Sequence, residues 1–275
     1  MIPTLLAAVY LAAIILTVDH LYRFANKIYQ RLTGAPAIYP ETRTGYLLGL
    51  IPPVSGLAIA GIFWWLVPGF SLSGRMLGET PFQSIAAGAS LGLACCILTI
   101  GACWLGRLLH AERPPRNQMK TRTRAFTLVS VDLLIAATFE EVIFRGHLLY
   151  LLQDSMGTLA AIFLSSLIFG LLHVWKRADA PLLWGVNTTL FGILATLLAL
   201  GTGSLVAPIA LHFVWNLVET PILGLPANGS PYENGLLKCE LEGPPAITGG
   251  AWSLDAGLVS TGALVAGVLA VAVFI

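Results

Sequence analysis

Charge is what this sequence has least of. Only 11% of its 275 residues are Asp, Glu, Lys or Arg, against about one quarter in a soluble domain. Fifteen bases nearly balance fourteen acids, so there is no basic field of the kind that attracts nucleic acid. A soluble globule of this size needs a polar skin that this composition cannot supply. A cytosolic or secreted enzyme is excluded, and so is a nucleic-acid module. Cysteine is also scarce. Cys95, Cys96 and Cys103 share one apolar segment and Cys239 stands in a polar loop. No pair has the C-x-x-C spacing of a redox or zinc site, so all four read as buried thiols behaving as small apolar residues. Neither an H-E-x-x-H helix nor a G-x-S-x-G elbow occurs, and Ser165 and Ser166 read as helix-packing hydroxyls. The first apolar run has no basic region before it and ends in Asp19-His20 rather than at a small-residue cleavage site. It is expected to be a retained helix rather than a signal peptide.

What the chain has is apolar length. Hydrophobic residues make up 56%, and mean hydropathy is +0.81. A bilayer core of roughly 30 Å takes about 20 apolar residues as a helix. Eight segments qualify: 2–23, 46–68, 84–109, 126–152, 158–175, 182–201, 204–223 and 255–275. The punctuation agrees, with Pro52-Pro53 and Pro68 in or near the ends of the second, and Pro114-Pro115, Pro181, Pro221 and Pro244-Pro245 in or beside linkers. Gly201-Thr202-Gly203 makes a tight hairpin between the sixth and seventh. Gly88-x-x-x-Gly92 permits a close helix approach without naming the partner helix. The expected fold class is all-α, a polytopic transmembrane bundle of about eight helices forming a single integral-membrane domain over residues 1–275.

Lys and Arg in the short loops set the orientation. Arg23, Lys27, Arg31 and Arg43 follow span one; Arg107, Arg113, Arg116, Lys120, Arg122 and Arg124 follow span three; Lys176 and Arg177 follow span five. The intervening loops hold Arg75 alone, or Asp154 with no base. Odd-numbered loops therefore face the cytoplasm, and the basic cluster 107–124 reads as a topology determinant. The last loop, 224–254, carries Lys238 against Glu233, Glu240 and Glu242, and its side stays open. Beyond Arg23, Phe24, Ile28 and Leu32 with Tyr22 and Tyr29 suggest that the first helix continues along the interface.

Polar residues inside the spans carry the chemistry. Span four holds Asp132, Glu140, Glu141, Arg145 and His147. Each Asp, Lys or Arg near a helix centre costs about 2.5–3.5 kcal/mol. Its 15 Leu, Ile, Val and Phe residues return only about 0.3–0.6 kcal/mol each. The sums nearly cancel, so this helix must be enclosed, its ionisable face toward protein or water. Glu141 and Arg145 are i and i+4 with the acid first, the favourable order for an ion pair on one face. Glu140, rotated by about 100° from Glu141, is left to point elsewhere. An unpaired carboxylate in apolar surroundings is a stronger base than one in water, which suits a general base. Span five adds Phe169-x-x-x-His173, and span seven adds His212-x-x-x-Asn216. Each polar group would be costly alone; together they can satisfy one another around a wet cavity. A carboxylate and a neutral imidazole can hold and deprotonate a water, while a second imidazole and an amide can donate to an oxyanion. The same three helices could instead be a packing network, or a proton relay in a carrier.

The boxes Glu140-Glu141-x-x-x-Arg145, Phe169-x-x-x-His173 and His212-x-x-x-Asn216, in order and each within an apolar span, resemble the CAAX prenyl protease and bacteriocin-processing family, which includes the type II CAAX endopeptidases. The resemblance spans about 126–220. It implies an eight-helix intramembrane protease of the glutamate type, with Glu140 and His173 activating water, His212 and Asn216 stabilising the oxyanion, and Glu141 and Arg145 supporting them. It implies no cofactor, with zinc ranked below the glutamate–water scheme. The expected substrate is a membrane-anchored protein or peptide, prenylated or otherwise processed. Nucleic acid has no part in it. The expected location is the cell membrane, multi-pass, and the short loops suggest a prokaryotic plasma membrane. A non-catalytic scaffold or immunity-type protein that keeps the fold is the alternative.

Overall fold

The computed structural model describes residues 2–34, 43–66, 76–175, 177, 179–227 and 229–273. Pro68, Arg75 and Lys176 lie outside them. The described chain is a helical bundle. α1 (Ile2–Thr33) runs unbroken for 32 residues, so the helix does continue past Arg23. Below that point Ala25 and Tyr29 turn inward, whereas Tyr22, Phe24 and Leu32 stay exposed. Span two is split into α2 (Arg43–Gly49) and α3 (Ile51–Leu66), with the break at Leu50, just before Pro52 and Pro53, which have no N–H to donate. α4 covers Pro81–Leu105.

Span four begins earlier than hydropathy suggests. α5 (Met119–Glu141) passes into a π-helical segment, Val142–Leu148, and then into α6 (Leu149–Met156). α7 (Thr158–Trp175), α8 (Leu182–Thr202), α9 (Val206–Leu217, with a π-helical extension Val218–Ile222) and α10 (Leu258–Ala272) complete the bundle. Among the described residues, Thr44–Ile62 and helices α4, α7 and α8 are long and apolar enough to cross a membrane, and α9 with its extension and α10 are shorter apolar helices. The chain is a multi-pass membrane protein.

Small residues decide how close the helices come. A Cβ on Gly88 would run into the carbonyl of Ala207, and one on Gly92 would sit 2.9 Å from the carbonyl of Leu211. The Gly88-x-x-x-Gly92 pair therefore seats α4 directly on the backbone of α9, the helix that carries His212. Gly170 and Gly192 likewise have α8 and α7 atoms where a Cβ would go. Ser165 and Ser166 serve packing, with Ser165 Oγ donating to the Ile162 carbonyl and Ser166 Oγ lying 3.5 Å from Thr196 Oγ1.

Two short strands were not expected. β1 (Leu109–Glu112), read from sequence as the end of span three and its loop, pairs antiparallel with β2 (Lys238–Leu241), with Leu109 opposite Leu241 and Glu112 opposite Lys238. Arg122 is buried rather than a free surface base. Its guanidinium donates to the Gly235 carbonyl at 2.6 Å and to Gln118. Arg177 lies over the Trp252 ring at 4.7 Å. Loops three, five and seven are thus gathered at one end of the bundle. Ser204, at the other end, donates to the carbonyl of Leu77, so loops two and six meet there. The side of 224–254, open in the sequence, is the side of the basic loop 107–124. All four cysteines are buried and free, and burial on β2 pushes the Cys239 thiol up to about 11.

Candidate active site

The first two boxes meet where α5 passes α7. About 31 Å of α5 precedes Glu140 at 1.5 Å per residue, whereas α7 ends two residues after His173. The site therefore lies near the odd-loop end of the shorter helices, beside the long α5. Glu141 is fully buried at the last position of α5 and pairs with Arg145 at 3.0 Å. The pair forms although a π-helical segment begins at Val142, between the two residues. Arg145 uses its remaining donors on the Gly192 carbonyl at 3.0 Å and Thr196 Oγ1 at 3.4 Å, and its guanidinium lies 4.6 Å from the centre of the Phe169 ring. A buried guanidinium is tolerable only when it is paired and bonded in this way.

Glu141 also meets the third box. His212 Nδ1 lies 2.8 Å from Glu141 Oε1. That leaves His212 Nε2 facing Glu140, 3.9 Å from Oε2. From the opposite wall His173 Nε2 also stands 3.9 Å from Glu140 Oε2. His173 Nδ1 is 2.8 Å from the Phe169 carbonyl, an acceptor, so Nδ1 carries the proton and a neutral ring presents its lone pair at Nε2. Phe169 contacts both rings, with centroids at 4.5 Å from His173 and 6.3 Å from His212. Phe191 meets His212 edge-on at 5.1 Å. Both imidazoles are thus held by one hydrogen bond and by aromatic walls.

Between these groups is a cavity of about 150 Å3 lined by Glu140, His173, His212 and Asn216. All four residues read from sequence as the reacting set reach it, and the supporting Glu141 and Arg145 lie behind it. Glu140 Oε2 has no hydrogen-bond partner within the protein. A gap of 3.9 Å is beyond a direct hydrogen bond and within the reach of one bridging water. A second, apolar cavity of about 220 Å3 adjoins it. Leu11, Ile14, Ile15 and Val18 of α1 form one side, Phe139 and Leu172 the other, and Glu140 and His173 are shared by both cavities.

Other members of the polar inventory lie elsewhere. His147 is buried against α1, with Nδ1 3.0 Å from Tyr10 Oη and 2.9 Å from the Val142 carbonyl. It does not reach the cavity. Conversely, Glu219 and Asp255 line the cavity without having been singled out. Glu219 accepts from Ser253 Oγ at 3.3 Å, and Asp255 accepts from Trp215 Nε1 at 2.7 Å. They stand near the ends of spans seven and eight, where acids are commonplace. The one available signal was that Glu219 follows Asn216 by three residues, on the same helix face. Among the described residues, no group of three or more His, Cys, Asp or Glu side chains is arranged to hold a metal ion.

A carboxylate and two oriented imidazoles around a small polar cavity, sunk among apolar helices, define a membrane-embedded site suited to hydrolysis. Residues 122–218 match the family model described as Type II CAAX prenyl endopeptidase Rce1-like. The resemblance read from the three boxes is therefore matched by similarity to this family over residues 122–218. No curated protein and no solved structure matches the chain.

Proposed function

We propose that the protein is an intramembrane endopeptidase of the glutamate type that cleaves a membrane-anchored protein or peptide. The observation that carries the reading is Glu140 Oε2, equidistant at 3.9 Å from the Nε2 atoms of His173 and His212. A water between Glu140 and His173 donates one hydrogen to each acceptor and turns a lone pair toward the cavity. It attacks the scissile carbonyl carbon as Glu140 takes its proton. The carbonyl electrons move to oxygen, which Asn216 Nδ2 and His212 Nε2 stabilise. To donate from Nε2 while Nδ1–H holds Glu141, His212 must carry both protons, and the Glu141 carboxylate is the counter-charge for that form. Collapse of the intermediate breaks the C–N bond, and the proton held by Glu140 passes to the leaving nitrogen. Glu141 and Arg145 act as positioning residues behind His212.

The adjoining apolar cavity supports a substrate that presents a lipid-like group, such as a prenyl chain, next to the bond cut. The loop charges favour the cytoplasmic face, and the short loops favour a prokaryotic plasma membrane as the setting. Glu140 and His173 suffice in this scheme as the two acceptors that activate water, so it needs no zinc, and EDTA should leave the rate unchanged. The direct test incubates the purified protein with a quenched fluorescent peptide bearing a farnesylated cysteine, alongside Glu140→Ala and His173→Ala. Loss of the general base should slow cleavage at least ~10²-fold. Cleavage untouched by both substitutions would reject the site. Full rescue of a deletion strain by Glu140→Gln would favour a scaffold.

A further inference from the structure

We infer that the segment Gly249–Gly257, outside the residues of the family match, is a strap that holds the two histidine-bearing helices in register, with Asp255 as its principal positioning residue. The inference rests on the hydrolytic reading above. The strap reaches both halves of the catalytic set. Toward α7, Trp252 packs on Trp184 with centroids at 4.9 Å, and Trp184 meets the His173 ring edge-on at 5.8 Å. Toward α9, Asp255 accepts the Trp215 indole N–H at 2.7 Å. Trp215 is one turn beyond His212 and packs with Phe191 at 5.9 Å, the ring that faces His212. In between, Ser253 donates to Glu219.

The strap is fixed rather than draped. Asn187 of α8 donates to the carbonyls of Asp255 at 2.7 Å and Gly257 at 2.9 Å, while Thr261 of α10 holds the Asn187 carbonyl oxygen at 2.7 Å. Ser253 has φ +68° and ψ −179°, a region that is essentially glycine's and persists in other residues only where surroundings over-determine it. A Cβ on Gly249 would collide with the Ser253 carbonyl, and one on Gly257 with that of Ile247. Strained backbone, committed amide and half-buried carboxylate converge on one short turn whose Asp255 side chain lines the cavity. Half-burying a carboxylate for packing alone gains nothing when a hydrophobic residue would pack as well. Its use here is directional: it aims at one indole N–H on the His212 helix.

The test compares Asp255→Ala, Asp255→Asn and Trp215→Phe in detergent-purified full-length protein, using the farnesylated fluorescent peptide. Asn retains an oxygen acceptor for the indole; Ala does not. Asp255→Ala and Trp215→Phe should each lower kcat at least tenfold with KM within about twofold, because alignment is lost and binding is not. Asp255→Asn should keep kcat within about threefold. The double variant Trp215→Phe/Asp255→Ala should be no slower than the slower single variant, as expected for two partners of one contact. Equal losses in Asp255→Asn and Asp255→Ala would overturn the inference, as would multiplicative effects in the double variant. The second measurement does not depend on turnover. In histidine-labelled protein, NMR signals of the His173 and His212 rings should shift in Asp255→Ala and return in Asp255→Asn. A protein that cleaves nothing but shows this pattern would sink the protease reading and leave the strap standing; unchanged ring signals in a folded Asp255→Ala protein would sink the strap alone.

Discussion

Replacing Arg145 by methionine would remove the cation from a carboxylate that has no access to water. Glu141 is 0% and Arg145 1% exposed. Arg145 also supports the Gly192 carbonyl and Thr196, so several contacts go at once. Breaking one partner out of a buried ion pair costs about 3–5 kcal/mol, a roughly 10²- to 10⁴-fold fall in the ratio of folded to unfolded protein. The loss comes less from the missing attraction than from the charge left behind. It follows that Glu141→Gln/Arg145→Met, which removes both charges, should be at least ~1 kcal/mol more stable than Arg145→Met alone. Unfolding in mixed micelles of mild detergent and SDS measures both. A double variant as unstable as the single one, or an Arg145→Met protein within about 1 kcal/mol of wild type, would refute the view that this pair is an enclosed charge compensated from within.

Other consequences can be checked with simpler variants. Gly88→Ala should drive α4 off α9, at the usual cost of overpacking, about 1–3 kcal/mol, whereas Gly61→Ala, where a Cβ meets nothing within 4 Å, should be neutral; thermal unfolding of the two separates them, and equal behaviour would contradict the close seat. Cys239 should resist iodoacetamide at neutral pH. Because its thiol is pushed up to about 11 and only the thiolate reacts, labelling should rise about tenfold per pH unit as pH climbs toward that value. Peptide mapping by mass spectrometry reads this, and rapid labelling at pH 7 would show that the β pair does not bury the thiol.

The spans and the three boxes were legible because hydropathy and i, i+4 spacing act locally. Glu140, His173, His212 and Asn216 stood out since ionisable and amide groups are expensive in apolar helices. Their convergence on one cavity follows from each needing a polar neighbour. Less could be read wherever the cause lies in contacts distant along the chain. Leu109–Glu112 becomes a strand only because Lys238–Leu241 arrives beside it, and Arg122 turns inward for a carbonyl 113 residues away. The π-helical segment Val142–Leu148 has no local signature; it forms where Arg145, Gly146 and His147 are packed on all sides. His147 carried the same signal as His173 and His212, a lone imidazole in an apolar span, and is satisfied by Tyr10 instead. Glu219 and Asp255 were overlooked because acids at span ends are commonplace, and only the fold of 249–257 brings Asp255 to the cavity.

In the proposed mechanism Glu140 and His173 hold one water together. Groups that act as a unit are strongly non-additive on turnover. The decisive measurement is therefore kcat on the farnesylated peptide for Glu140→Gln, His173→Ala and the double variant. Each single substitution should cost at least ~10²-fold, and the double variant should be no slower than the slower single one. Losses that multiply, or a Glu140→Gln enzyme that turns over like wild type, would contradict it.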